Sequence, residues 1–175
     1  MLRIDVSKIP AEGLDLDEAL TGAEIHIEGG EDFVLRDGGL LRCHVEFREE
    51  ETVHVTGELL APLELVCGRC LDTFPLRIAR KLELFFLPHR EEQEEDEVEL
   101  TERDMVVAYY REHSIDLGEM VREQLFLAVP MKRLCDAGCQ GLCPRCGVNR
   151  NRGSCQCPAA DADPRLASLA RLLES

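Results

Sequence analysis

The chain has 175 residues, a length typical of one domain with a small appendage. Apolar residues make up 45% and charged residues 31%, a composition that excludes a disordered chain. The 35 acidic and 20 basic residues give a net charge of −15, which opposes binding of the surface as a whole to polyphosphates or anionic membranes. Six of the nine cysteines fall within the 23 residues 135–157, so the chemistry is concentrated there.

The N-terminal residues carry no pattern of a secretory leader. Arg3, Asp5 and Lys8 interrupt them and leave no apolar region of the length that a signal peptide needs. No stretch approaches the roughly 18 apolar residues of a membrane span. We therefore expect a cytoplasmic protein that does not enter a membrane, in which clustered, reduced cysteines bind metal or do redox work.

Turn signals and β-branched apolar runs predict a β-rich core over the first ~110 residues. Residues 52–60 alternate apolar and polar side chains, and the alternation resumes at Leu63, so we expect two successive strands interrupted at Pro62. Further strands are predicted over 74–87 and over 105–110. Strands joined by short turns favour an antiparallel arrangement.

An acidic segment separates the last two of these predicted strands. Residues 89–104 hold nine acidic residues and two arginines. Such a run repels itself and buries nothing, so it predicts a solvated loop. A docking surface for a basic protein partner is the second interpretation.

Two helices are predicted after the acidic segment. One covers residues 116–129, where Asp116 and Glu119 form a capping box and apolar side chains recur at steps of three and four. Pro130 ends it. The other lies within residues 159–175, where an Asp-Pro start precedes an apolar face.

Eight of the nine cysteines form four pairs at short spacing. Two thiolates separated by two residues can bind one metal ion, and Gly147 provides the positive φ that such a turn requires. No histidine lies near the cluster, so we expect all-cysteine coordination, with zinc favoured over an iron–sulfur cluster. The pairs are Cys67 with Cys70, Cys135 with Cys139, Cys143 with Cys146, and Cys155 with Cys157.

We predict two structural zinc sites per chain. Their ligand sets are Cys67, Cys70, Cys135 and Cys139 for a site across the fold, and Cys143, Cys146, Cys155 and Cys157 for a local one. Within this hypothesis, pairing of Cys139 with the local site is the competing arrangement. Four thiolates leave no position for an activated water, so we expect no enzyme and no catalytic residues. The ninth cysteine, Cys43, is expected to be a buried apolar residue.

A redox role is the alternative reading of the same cysteines. Cys67 and Cys70 match the spacing of a thioredoxin-like pair, although the strand–motif–helix arrangement that activates such a thiol is missing from the pattern. Oxidation could also eject the metal from the local site. The second functional hypothesis is therefore a redox-responsive zinc regulator or chaperone.

Residues 131–158 are locally basic within an acidic chain. One interpretation is a small RNA-contacting patch, and the other is neutralisation of the negative zinc–thiolate groups. The segment has no aromatic residue, so it offers no platform for base stacking. Its basic residues are Lys132, Arg133, Arg145, Arg150 and Arg152.

These elements together predict an α+β fold. The antiparallel β-rich core with its acidic loop and long helix would occupy residues 1–130. A zinc-binding module would follow at 131–158 and a C-terminal helix at 159–175.

Five motifs in order and spacing resemble one bacterial family. They are Cys67-Gly-Arg-Cys-Leu71, Ile115-Asp-Leu117, Leu127-Ala-Val-Pro130, Cys139-Gln-Gly-Leu-Cys-Pro-Arg-Cys-Gly147 with Asn149 and Asn151, and Cys155-x-Cys157 followed by Asp163-Pro-Arg-Leu-Ala167. The pattern is similar to the YceD family, described as the large ribosomal RNA subunit accumulation protein. Arg150 stands where an apolar residue is expected, which leaves the cysteines untouched.

The resemblance implies a cytoplasmic ribosome-biogenesis factor that supports accumulation or processing of 23S rRNA. Its implied partners are ribosomal precursor particles, a basic ribosomal protein or the 23S rRNA precursor, with no small-molecule substrate. No catalytic residue is implied, and the matched cysteines are implied only as metal ligands.

Overall fold

The computed structural model describes residues 2–25, 27, 33–48, 51–89 and 107–158. Two predictions fall outside this part of the chain. They are the C-terminal helix within residues 159–175 and nearly all of the acidic loop at 89–104.

The chain divides into two compact units. Unit 1 comprises Met1–Val66 and Thr73–Arg133, and unit 2 comprises Cys67–Asp72 and Leu134–Ser175. The elements of unit 1 are β1 (Arg3–Asp5), a 3₁₀ turn (Val6–Lys8), β2 (Leu14–Leu20), β3 (Phe33–Leu35), β4 (Gly39–Phe47), β5 (Val53–Val66), β6 (Thr73–Pro88), β7 (Val107–Tyr110), β8 (Ser114–Asp116) and α1 (Leu117–Ala128).

A six-stranded sheet forms the main body of unit 1. Its strands follow the order β2, β4, β5, β6, β7, and β3 pairs with a further part of β5. The described pairs are antiparallel except β6 with β7, which run parallel. The parallel pair departs from the antiparallel prediction, because the long connection from Pro88 to Val107 lets the chain return before it pairs again. Strands β1 and β8 form a separate two-stranded sheet.

Strand β5 runs through Pro62, so the predicted interruption there is wrong. On one edge of β5, pairing with β4 stops at Leu60 and pairing with β3 starts at Leu63. The carbonyl of Pro62 points to that edge, where it accepts from the N–H of Arg36 at 2.8 Å. Since N–H and C=O of a strand residue point the same way, the missing donor of Pro62 also faces Arg36. The proline therefore forgoes one hydrogen bond, just beyond the last paired residues of β3 and β5, Leu35 and Leu63.

The apolar face of the sheet and of helix α1 form one core. Alternate residues of β5, including Val53, Val55 and Leu59, are fully buried, as the period-two pattern predicts. Helix α1 buries its stripe of apolar residues, and Asp116 caps it by accepting from the N–H of Glu119 at 3.0 Å. The predicted helix over 116–129 is confirmed, and the described residues, mostly β-strand with one α-helix, form an α+β architecture.

None of the helices in the described part of the chain is long and apolar enough to cross a membrane.

Candidate metal centre

Unit 2 contains a tight cysteine turn, turn A, formed by Cys67–Asp72. The N–H of Cys67 donates to the carbonyl of Asp72 at 2.9 Å, and the N–H of Leu71 donates back to the carbonyl of Cys67 at 3.0 Å. The N–H of Arg69 lies 3.5 Å from the Cys67 sulfur. The turn therefore aims backbone donors at its first sulfur, which stabilises a thiolate there.

Residues 143–148 form turn B, which has the same hydrogen-bond pattern. The N–H of Cys143 donates to the carbonyl of Val148 at 2.8 Å, and the N–H of Gly147 donates to the carbonyl of Cys143 at 2.9 Å. Gly147 has φ +74°, the left-handed conformation that glycine adopts without strain. This is the turn that the Cys-Pro-Arg-Cys-Gly sequence predicts.

Turn A contributes to a group of four cysteines, centre A. Cys67 and Cys139 have sulfurs 3.8 Å apart, and those of Cys70 and Cys135 are 3.7 Å apart. All four sulfurs lie within 4.8 Å of one another. Tetrahedral zinc with Zn–S bonds of about 2.3 Å places its sulfurs about 3.8 Å apart, whereas a disulfide needs about 2.05 Å. The spacing fits a shared metal and excludes disulfides within these two pairs.

Turn B contributes to the second group, centre B, which consists of Cys143, Cys146, Cys155 and Cys157. Their sulfurs also lie within 4.8 Å of one another. Cys143 is buried and Cys146 is exposed, while Cys155 and Cys157 are half-buried. In centre A, by contrast, only Cys135 is exposed. Both groups could hold a metal ion, and centre B is the more open of the two.

The hydrogen bonds in centre A give its thiols different acidities. The backbone N–H groups of Cys135 and then Cys70 outweigh burial and lower the pKa of Cys67 to about 6. At Cys70, the N–H of Asp72 lowers the pKa, but burial and the thiol of Cys67 outweigh it and raise the pKa to about 12. Without a cation, therefore, Cys67 ionises well before Cys70.

Centre B has the same division of acidity. The backbone N–H groups of Cys146 and then Arg145 lower the pKa of Cys143 to about 6. The thiol of Cys146, followed by burial, raises the pKa of Cys157 to about 12. A divalent cation in either centre would favour the thiolate form of all four sulfurs, since metal ligation requires deprotonated cysteine.

The donor set fits a closed, structural metal site. Four sulfurs fill a tetrahedral coordination sphere, and the backbone donors of each turn offset part of the thiolate charge. The guanidinium of Arg69 donates to the carbonyl of Cys139 at 2.9 Å, which fixes the second half of centre A against turn A. The sequence-predicted ligand pairs are thus brought together in the grouping that their spacing suggested.

Cys43 belongs to neither centre and lies in β4 of unit 1. It is 5% exposed, as expected for an apolar core residue. Burial, then the charges of Asp15 and Glu18, raise the pKa of Cys43 to about 11, so its thiol stays protonated at neutral pH.

Two residues that shape centre A were not predicted from the sequence. Leu71 follows the second cysteine of turn A with φ +61°, in the position that Gly147 holds in turn B. Asp72 closes turn A and accepts from the side chain of Asn149 at 2.7 Å. Aligning the two Cys-x-x-Cys segments would have drawn attention to Leu71, whereas no sequence signal pointed to Asp72.

The chain matches a family model described as large ribosomal RNA subunit accumulation protein YceD over residues 55–173. It belongs to the YceD family. The matched region contains all eight cysteines of the two centres and strands β6 and β7. The match therefore includes unit 2 except its last two residues, together with most of β5 and all of β6 and β7.

Relatives of this YceD-family chain come from bacteria and a plant. The uncharacterized protein YlbN of Bacillus subtilis is 32% identical over 123 residues, 69% of this chain and 63% of its own length. The uncharacterized protein Rv2926c of Mycobacterium tuberculosis is 38% identical over 102 residues, 56% of this chain and 45% of its own length. An Arabidopsis thaliana protein named large ribosomal RNA subunit accumulation protein YCED homolog 1, chloroplastic, is 32% identical over 60 residues, 34% of this chain and 19% of its own length.

The chain spans less than two thirds of the length of these curated relatives. No solved structure matches it significantly. The description of the family model and the name of the chloroplast relative both refer to accumulation of the large ribosomal RNA subunit.

Proposed function

We propose that this chain is a non-enzymatic factor in assembly of the large ribosomal subunit, where it supports accumulation or processing of 23S rRNA. The observation that carries the proposal is the family match over residues 55–173. The name of the chloroplast relative points the same way. A reducing compartment such as the cytoplasm would keep the eight clustered thiols available as ligands.

In this proposal each cysteine centre holds one structural zinc ion. Zinc accepts four thiolates in tetrahedral geometry, and the sulfur spacings in centre A match that geometry. The metal supplies folding energy to unit 2, whose described residues form neither a helix nor an extended strand. A closed sphere leaves no position for an activated water, which supports a role in assembly rather than catalysis.

Charge guides the choice of partners. With a net charge of −15, the chain is suited to engage a basic ribosomal protein or a protein-coated precursor particle. The acidic residues 89–104 are the part of the sequence best suited to such contact. In unit 2, Arg145 of turn B is exposed and is the candidate contact to 23S rRNA precursor phosphates.

Depletion and rescue in a bacterium that carries a YceD-family gene test the proposal. We expect depletion to lower the ratio of 23S to 16S rRNA and the 50S peak in sucrose gradients, and the intact chain to restore both. A variant with Cys67 and Cys143 changed to serine should fail to rescue, whereas Cys43→Ala should rescue as the matched cysteine control. An unchanged rRNA ratio after depletion would contradict the proposal.

A redox-responsive zinc regulator is the second candidate, and the exposure of centre B favours it. Cys146 is exposed and two further ligands are half-buried, so peroxide can reach their sulfurs. This alternative predicts zinc release under peroxide that thioredoxin reverses, together with normal 23S levels in depleted cells. The assembly proposal predicts the rRNA defect in the absence of oxidant.

A further inference from the structure

Residues 147–154 connect Cys146 and Cys155 of centre B, yet one of their side chains contacts centre A. The side-chain amide of Asn151 donates from Nδ2 to the sulfur of Cys139 at 3.2 Å. Its Oδ1 accepts from the backbone N–H of Gln140 at 2.8 Å. Asn151 therefore holds one centre A ligand both by its sulfur and by the peptide that follows it.

Asn149 reaches the other half of centre A. Its Nδ2 donates to Oδ2 of Asp72, the last residue of turn A, at 2.7 Å. Its Oδ1 accepts from the N–H of Asn151 at 3.0 Å, which orients the two amides together. Arg152 adds an ion pair to the same Asp72 oxygen at 3.1 Å. A single short segment thus contacts both halves of centre A.

The backbone makes a second connection between the same parts. Leu142 pairs with Asn149 in an antiparallel bridge, and the N–H of Leu142 donates to the carbonyl of Arg69 at 3.0 Å. Gly141 has φ +71°, and a β-carbon there would lie 2.8 Å from that same carbonyl oxygen. The segment closed by the Leu142–Asn149 bridge therefore approaches turn A so closely that position 141 requires glycine.

A metal ion at centre B would fix both ends of the segment that carries the two asparagines. Cys146 and Cys155 flank it, so joint ligation closes it into a loop and removes much of its conformational entropy. Centre A then forms its contacts to Asn149 and Asn151 at a smaller entropic cost. By linkage, a metal at centre A must favour loading of centre B by the same factor.

We propose that Asn149 and Asn151 are positioning residues that couple the two metal centres, so that loading of one raises the affinity of the other. The inference rests on the proposed zinc binding and goes beyond it. Two sets of four thiolates with no contact between them would bind two zinc ions independently. Loss of a residue that orients a metal ligand typically lowers metal affinity 10- to 100-fold. We expect about a tenfold effect at centre A when both asparagines are replaced by alanine.

Native mass spectrometry of the full chain during zinc titration measures the coupling. We expect the intact chain to pass from the zinc-free to the two-zinc form with little one-zinc form. The Asn149→Ala/Asn151→Ala variant should accumulate the one-zinc form, and Arg150→Gln, an exposed change between the two asparagines, should behave as the intact chain.

Removal of centre B provides the second arm. Cys143→Ser should lower the zinc affinity of centre A about tenfold in the intact background, and by less than about twofold in the double-alanine background. If the double-alanine chain folds poorly by circular dichroism, Asn151→Asp takes its place, because it keeps the acceptor for Gln140 and loses the donor to Cys139.

Three results would overturn the coupling. They are equal abundance of the one-zinc form in the intact and double-alanine chains, a centre A affinity unaffected by Cys143→Ser, and an equal loss in both backgrounds. Two zinc ions that bind independently would overturn the coupling alone. A chain that binds no zinc would overturn the metal proposal as well.

Discussion

Leu71 and Gly147 hold the same position in turns A and B, directly after the second cysteine, with φ of 61° and 74°. A residue with a β-carbon is strained in this left-handed conformation, whereas glycine is not. Leu71 is 63% exposed, so burial offsets little of that strain. Turn A is therefore held in its conformation by its hydrogen bonds and by centre A, at a cost that turn B does not carry.

Replacing Leu71 by glycine should stabilise the metal-loaded chain by about 1 kcal/mol, because the left-handed strain exceeds the entropy that glycine adds to the unfolded state. Thermal denaturation of the zinc-loaded protein measures the change. Gly147→Ala is the reciprocal variant, and it should lose about 1 kcal/mol since open space surrounds its added β-carbon and only the conformation opposes it. A destabilised Leu71→Gly chain would show that the exposed side chain makes a stabilising contact.

Chelation should affect the two units differently. The sheet of unit 1 has its own buried core, whereas unit 2 contains the two cysteine groups that could hold metal ions. If the proposed zinc ions stabilise unit 2, their removal should unfold it first. Hydrogen exchange before and after treatment with a strong chelator is expected to show loss of protection at residues 67–72 and 134–158. Protection in β4, β5 and β6 should remain. Equal loss of protection in the sheet would contradict this division.

The sequence predicted the candidate site better than the sheet. Spacing alone identified the cysteine pairs, because tetrahedral metal coordination imposes short local intervals that a sequence displays directly. The capped helix starting at Asp116 was predicted for a similar reason, since its signals are local. The path of β5 through Pro62 was not predicted. Whether a strand tolerates a proline depends on how the neighbouring strands pair at that residue, which the sequence does not display.

The parallel pairing of β7 and the strained conformation of Leu71 escaped prediction for related reasons. Strand direction follows from how a long connection returns, which no residue pattern encodes. Leu71 contradicts its own propensity, and only the constraint of the whole turn overrides that propensity.

Acid should weaken the start of helix α1. Burial raises the pKa of Asp116, but the N–H of Glu119 and the guanidinium of Arg3 outweigh it, so the folded-state pKa lies below the ordinary value of 3.8. The stabilisation is therefore complete above pH ~4 and is lost as pH falls through the folded-state pKa. Asp116→Asn should reduce the free energy of unfolding by roughly 0.5 to 1 kcal/mol at neutral pH.

Urea denaturation at pH 7 and pH 3 checks this prediction. The difference between Asp116→Asn and the unaltered chain should shrink at pH 3, because the carboxyl of Asp116, with its ordinary pKa of 3.8, is then mostly protonated in the unfolded chain. Glu12→Gln, at an exposed carboxylate, serves as the control and should change stability little at either pH. A difference that is independent of pH would contradict the electrostatic account.

Gly57 allows β4 and β5 to approach each other. It pairs with Cys43, and a β-carbon on Gly57 would overlap the carbonyl oxygen of Arg42 and lie 2.7 Å from the Cα of Cys43. Gly57→Ala should therefore destabilise unit 1 by about 1 to 3 kcal/mol through backbone displacement. Thermal denaturation measures it, with Gly153→Ala as a control whose β-carbon meets nothing within 4 Å. Equal stability of the two variants would contradict the predicted clash.

The most direct test of the central claim, that the eight clustered cysteines form two metal centres, is the mass of the natively folded chain. Native mass spectrometry after expression in zinc-replete medium should give the chain plus two zinc ions, and acid should release both. Thiol alkylation of the native protein should spare the eight clustered cysteines. A chain that carries one zinc ion, lost entirely on Cys143→Ser, or a chain that carries none, would contradict the account.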